Sequence, residues 1–124
     1  MEFITYSQAL ELKKLGFDEP CFGIWMERGN KHDVIYVTKQ EDAWMAEQND
    51  GILAPLYQQA FRWFREKYNL LGIVGYCDDN SGKFMSVIDK INSDIDYDMN
   101  AKDTYEEAEL ACLNRLIEIV KNKP

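Results

Sequence analysis

The side chains in this sequence that are equipped for chemistry form a short set. Asp94, Asp96 and Asp98 alternate along "SDIDYDM" and look like the opening of a calcium loop. A calcium loop of the helix–loop–helix kind then requires Gly where Met99 stands and Glu where Tyr105 stands, so the aspartates read as the solvated face of a strand. His32 is the sole histidine, and Cys21, Cys77 and Cys112 are far apart with no CxxC spacing, which leaves no zinc ligand set. Nucleophilic catalysis needs a base held beside a Ser or Cys. Asp33 follows His32 directly, and adjacent strand residues point to opposite faces, so they form no dyad. "DEP" at 18–20 and "DD" at 78–79 are turn residues before they are acid–base pairs, although the fold can still bring carboxylates together in a cleft. No cofactor is expected, and the balance is against an enzyme.

The segment "PLYQQAFRWFREKY", 55–68, mixes aromatic rings with arginines, the residue types of a base-stacking platform. At 100° per residue, however, Leu56, Tyr57, Ala60, Phe61, Trp63, Phe64 and Tyr68 share one arc, and Gln58, Gln59, Arg62, Arg65 and Glu66 take the other. Rings and cations on opposite faces make a helix laid on a sheet. Lys67 intrudes on the apolar arc and can snorkel outward. Trp63, at the arc's edge, is expected to stay partly exposed.

Both the number and the sign of the charges agree. With 22 Asp and Glu against 14 Lys and Arg, the net charge is −8, which repels nucleic-acid phosphates and anionic lipid. The same charge allows a second reading, an acidic mimic of nucleic acid. Asp78, Asp79, Asp94, Asp96, Asp98, Asp103, Glu106 and Glu107 would supply its carboxylates.

These residues need elements to hold them. Thr5 and Gln8 form a capping box, and Gly16 with Phe17, folding back on Leu12, ends a helix over 6–15, with Pro20 beyond. "CFGIWME" and "DVIYVT" predict a hairpin of 21–27 with 33–38 across the turn "RGNKH". Residues 39–54 carry no clear period and read as a helical turn or two, or as a loop. Pro55 suits the first turn of the next helix. "LGIVGYC" and "GKFMSVIDKI" predict a second hairpin across "DDNS", and "SDIDYDM" a short edge strand with a charged face. Thr104 and Glu107 predict a second capping box, opening a helix whose inner face carries Tyr105, Ala108, Cys112, Leu116 and Ile119. The fold class is α+β: a mostly antiparallel sheet of four to five strands with helices on one face, in the order α-ββ-α-ββ(β)-α. A chain of 124 residues without linker or repeat reads as a single domain, 1–124. "MEFITYSQAL" has no basic n-region or apolar h-region, no run approaches a membrane span, and the thiols read as free, so the expected location is the cytoplasm.

"APLYQQAFRWFREKYNL", "TYEEAELACLNRLIEIVKN" and "GFDEPCF" resemble a family of small hypothetical proteins encoded by gut bacteria and their phages. Residues 28–50 and 78–101 look individual. The resemblance implies a setting, a phage or mobile-element accessory protein. It brings no catalytic or binding residues.

The function expected from sequence is therefore non-enzymatic binding of another protein, with neither nucleic acid nor membrane as partner. The acidic mimic and a carboxylate enzyme are the alternatives. The expected anchors are Trp44 and Met45 in the aperiodic segment, Trp63 on the helix margin and Trp25 on a hairpin strand.

Overall fold

The computed structural model describes residues 2–28, 31–36 and 51–122. The chain divides into two compact units, Met1–Gln59 and Ala60–Pro124.

In the first unit, α1 (Tyr6–Lys14) begins where the capping box predicts. The Gln8 N–H donates to Thr5 Oγ1 at 3.1 Å, and the Thr5 N–H donates to Gln8 Oε1 at 3.0 Å. Gln8 is buried, and its Oε1 also accepts from the Tyr57 hydroxyl at 2.9 Å, so this interior amide is paired rather than stranded. At the other end Gly16 takes φ 95°, and the Phe17 N–H reaches back to the Leu12 carbonyl at 3.0 Å. That is the glycine stop expected, and it buries Phe17 and Leu12.

The first sheet has the order β2-β1-β3, antiparallel throughout, with β1 Gly23–Arg28, β2 Lys31–Tyr36 and β3 Ile52–Ala54. The hairpin is tighter than sequence predicts. Its ladder runs from Gly23↔Tyr36 to Arg28↔Lys31, so the strands take residues assigned to the turn. β3 was expected to be loop or helix. It is a buried strand against Gly23–Trp25, and three residues are too few to show a period. Phe3 lies across β1 so closely that a Cβ on Gly23 would fall 2.6 Å from its ring, which leaves room for glycine alone. Pro55 is not helical. It precedes α2 (Tyr57–Tyr68), and its carbonyl accepts from the Ile4 N–H at 3.0 Å.

The second unit holds β4 (Leu70–Tyr76), β5 (Phe84–Lys90) and β6 (Asp96–Asp98) in the order β4-β5-β6, again antiparallel, and α3 (Tyr105–Lys121). β6 is the short edge strand expected. α3 packs on β4 and β5. It approaches closely because Gly72 has no side chain: a Cβ there would meet Cys112 Sγ at 3.1 Å, Leu116 Cδ1 at 3.2 Å and Phe61 Cδ1 at 3.4 Å. Thr104 Oγ1 accepts from the Glu107 N–H at 3.1 Å, the hydroxyl half of the predicted box. Ala108, Cys112, Leu113, Leu116 and Ile117 form the buried stripe, whereas Tyr105, expected inside, is 41% exposed, its ring edge-on to Phe84.

Within α2 the two faces fall as predicted. Tyr57, Ala60 and Phe64 are buried, and Arg62 and Arg65 are exposed.

The correction to the fold class is one of number. Among the described residues, two three-stranded antiparallel sheets replace the single sheet of four to five strands. Hairpin signals report only which neighbours pair, and β3 joins β1 instead of extending the second hairpin. Among the described residues no helix is long and apolar enough to cross a membrane.

Candidate interaction surface

Alternation along β4 and β5 sorts the second sheet into two faces. Leu70, Gly72, Val74 and Tyr76 pair with Lys90, Ile88, Ser86 and Phe84, and this face lies under α3. Here Ser86 donates to Met99 Sδ at 3.2 Å, and the Arg115 guanidinium sits 5.3 Å from the Tyr97 ring centre. Burial pushes the Cys112 thiol up to about 11, opposed by its hydrogen bond with Ser86. A thiol in that state is an inert apolar filler, not a nucleophile.

The opposite face carries Leu71, Ile73 and Gly75 beside Asp89, Val87 and Met85. Ile73 is 46% and Met85 40% exposed, and a Cβ on Gly75 would meet nothing within 4 Å. Asp96, exposed, pairs with Asp89 and adds a carboxylate at the β6 side. The result is an apolar strip two strands wide with an acidic margin. Water gains nothing from Ile73 and Met85, and a partner that covers them gains about 25 cal/mol per Å² of apolar area removed from solvent.

The described residues among the anchors expected from sequence are not on these strands. Trp44 and Met45 lie outside the described residues. Trp63, expected to be partly exposed, is only 5% exposed. Phe64 at 5.1 Å and Tyr68 at 5.5 Å stand edge-on to its ring, and the Lys67 ammonium sits 4.9 Å from the ring centre, so the helix's own residues help cover it. Trp25 is half-buried. Its indole N–H donates to the Ile4 carbonyl at 3.0 Å and its ring meets Tyr6 edge-on. His32 is on β2 rather than in a turn, stacked on Tyr6 with ring centres 3.7 Å apart. Of the carboxylates considered for mimicry, Asp78 and Asp79 follow the end of β4, and Asp103 lies 3.8 Å from Lys83 beside them. Asp94 and Asp96 follow the far end of β5, a strand of seven residues and so roughly 20 Å long. The two groups sit at opposite ends of the sheet, with lysines interleaved in the first. Asp79 accepts hydrogen bonds from Ser81, which lower its carboxyl below the usual range.

Sequence reasoning passed over Ile73 and Met85. A signal was present: "LLGIVGY" is apolar on both faces, which reads as a central strand. Among the described residues it is an edge. No family model, curated protein or solved structure matches this chain.

Proposed function

We propose that this protein is a non-enzymatic binding protein whose partner is another protein, docked on the open face of the β4-β5-β6 sheet. The observation that carries this is the apolar strip of Ile73, Met85 and Val87, with clear space over Gly75. Charge refines the partner. Asp89 and Asp96 border the strip, and β4 and β5 place no Lys or Arg on that face, so the partner offers an apolar segment flanked by basic side chains. The setting in this reading is the cytoplasm, with the protein a phage or mobile-element accessory. A photo-crosslinking amino acid at Met85, and separately at exposed Arg62, tests it in the expressing cell. A defined protein adduct from position 85, lost with Val87→Asp, supports the reading. Equal adducts at both positions, or an adduct undiminished by Val87→Asp, overturns it.

A further inference from the structure

We infer that β4 is also a self-association edge, pairing antiparallel with β4 of a second copy about a two-fold axis at Val74. The argument begins with the direction of the backbone groups. The Cys77 N–H donates to the Lys83 carbonyl at 2.9 Å and the Ile91 N–H to the Asn69 carbonyl at 2.8 Å, so residues 69 and 77 bond toward β5. Phe84 instead exchanges both bonds with Lys102, and the Lys90 N–H donates to Ile95, so residues 84 and 90 turn away from β4. In an antiparallel ladder this alternates residue by residue. Leu71, Ile73 and Gly75 therefore bond to β5. Leu70, Gly72, Val74 and Tyr76 direct N–H and C=O outward, with no backbone partner among the described residues. Leu70 is 1% exposed, which closes that end and leaves Gly72 to Tyr76 as the accessible edge.

That span is symmetric about Val74, and so is its chemistry. A two-fold axis there sets Val74 against Val74, Gly72 against Tyr76, and Ile73 against Gly75. Backbone bonds then pass between Val74 and Val74 and between each Gly72 and the opposing Tyr76, six in all by ladder geometry. Each large exposed residue, Ile73 at 46% and Tyr76 at 59%, faces a glycine of the other copy, so no two bulky side chains compete. The charges fit as well. β4 contains no charged residue, unlike the aspartate-bearing β6 edge, so two chains of net −8 can approach here. Antiparallel pairing also brings the basic last turn of α2, Arg65 and Lys67, toward Asp78 and Asp79 of the other copy, at both ends. The product is a six-stranded sheet with the acidic β6 edges outermost.

A contact of five residues belongs to the small, weak class of interface. Sedimentation equilibrium is therefore run up to about 1 mM chain. The expected mass tends toward twice 14.5 kDa. Val74→Pro removes an outward N–H, which an edge strand tolerates, and is expected to hold the mass at 14.5 kDa with the circular dichroism unchanged. Register is read separately in a Cys77→Ser background. Ile73→Cys and Gly75→Cys chains, mixed under oxidised glutathione, form a disulfide between copies that neither forms alone to the same yield, because the pair faces across the ladder. A wild-type mass of 14.5 kDa at every concentration overturns the inference. So does a dimer that survives Val74→Pro, or a mixture that cross-links no better than its components. The cysteine pair decides the matter even where proline at 74 disturbs folding. Protein capture through Met85 is a separate readout, so either reading can fail without the other.

Discussion

Gly72 and Gly75 stand three residues apart on one strand and so on opposite faces, and the structure predicts opposite responses to the same methyl group. At Gly72 a Cβ would come within 3.1 Å of Cys112 Sγ and 3.2 Å of Leu116 Cδ1. Both distances are tighter than ordinary van der Waals contact. Over-packing of a filled core costs typically 1–3 kcal/mol, and replacing glycine returns about 0.4–1 kcal/mol by restricting the unfolded chain. Gly72→Ala should therefore lose about 0.5–2 kcal/mol net. Gly75 has open space over it and no positive φ, so Gly75→Ala should gain up to about 1 kcal/mol. Urea unfolding at low micromolar protein reads both. With a slope of about 1–3 kcal/mol per molar, each kcal/mol moves the midpoint by roughly 0.3–1 M. Cys112→Ala supplies the internal check. Removing the sulfur vacates the space the new methyl needs, so Gly72→Ala should be nearly neutral in that background, a coupling of about 1 kcal/mol. If the two substitutions added to within about 0.5 kcal/mol, Cys112 would not be what limits Gly72. Equal losses at Gly72 and Gly75 would refute the division of the sheet into a covered face and an open one.

Two further outcomes follow from the cores. Phe64→Ala should cost about 3–5 kcal/mol, because Phe64 is fully buried, and Arg65→Ala should fall within about 0.5 kcal/mol of wild type. Urea midpoints check this pair, and a costlier arginine would reverse the assigned helix faces. The Cys112 thiol, held protonated by burial, titrates at about 11 against an ordinary 9.0. Because the folded state holds this proton more tightly, the stability it contributes is complete below pH 9.0 and is lost as pH rises toward 11, roughly 3 kcal/mol in all. Urea stability of wild type and Cys112→Ala between pH 8 and 11 should converge with rising pH by that order. Parallel curves would mean the thiol ionises unhindered.

Local chemistry was legible in the sequence, because it depends on residues within a turn or two of each other. Thr5 with Gln8, Gly16 with Phe17, and Thr104 all act where their spacing predicts, since caps and stops are short-range hydrogen bonds. The faces of α2 follow from helical period alone, and the β4–β5 hairpin from its turn. Three things needed the folded geometry. β3 finds β1 across more than twenty residues. Trp63 is covered rather than exposed, because Phe64, Tyr68 and Lys67 close over it, a matter of rotamer and neighbour rather than of arc. The candidate surface is the clearest case. The residues of "LLGIVGY" are apolar on both sides, and sequence cannot say which side a helix covers. Each face carries one glycine, and only the fold separates them: Cys112 and Leu116 of α3 reach the strand over Gly72, whereas nothing lies over Gly75, and Ile73 and Met85 are left exposed on that side.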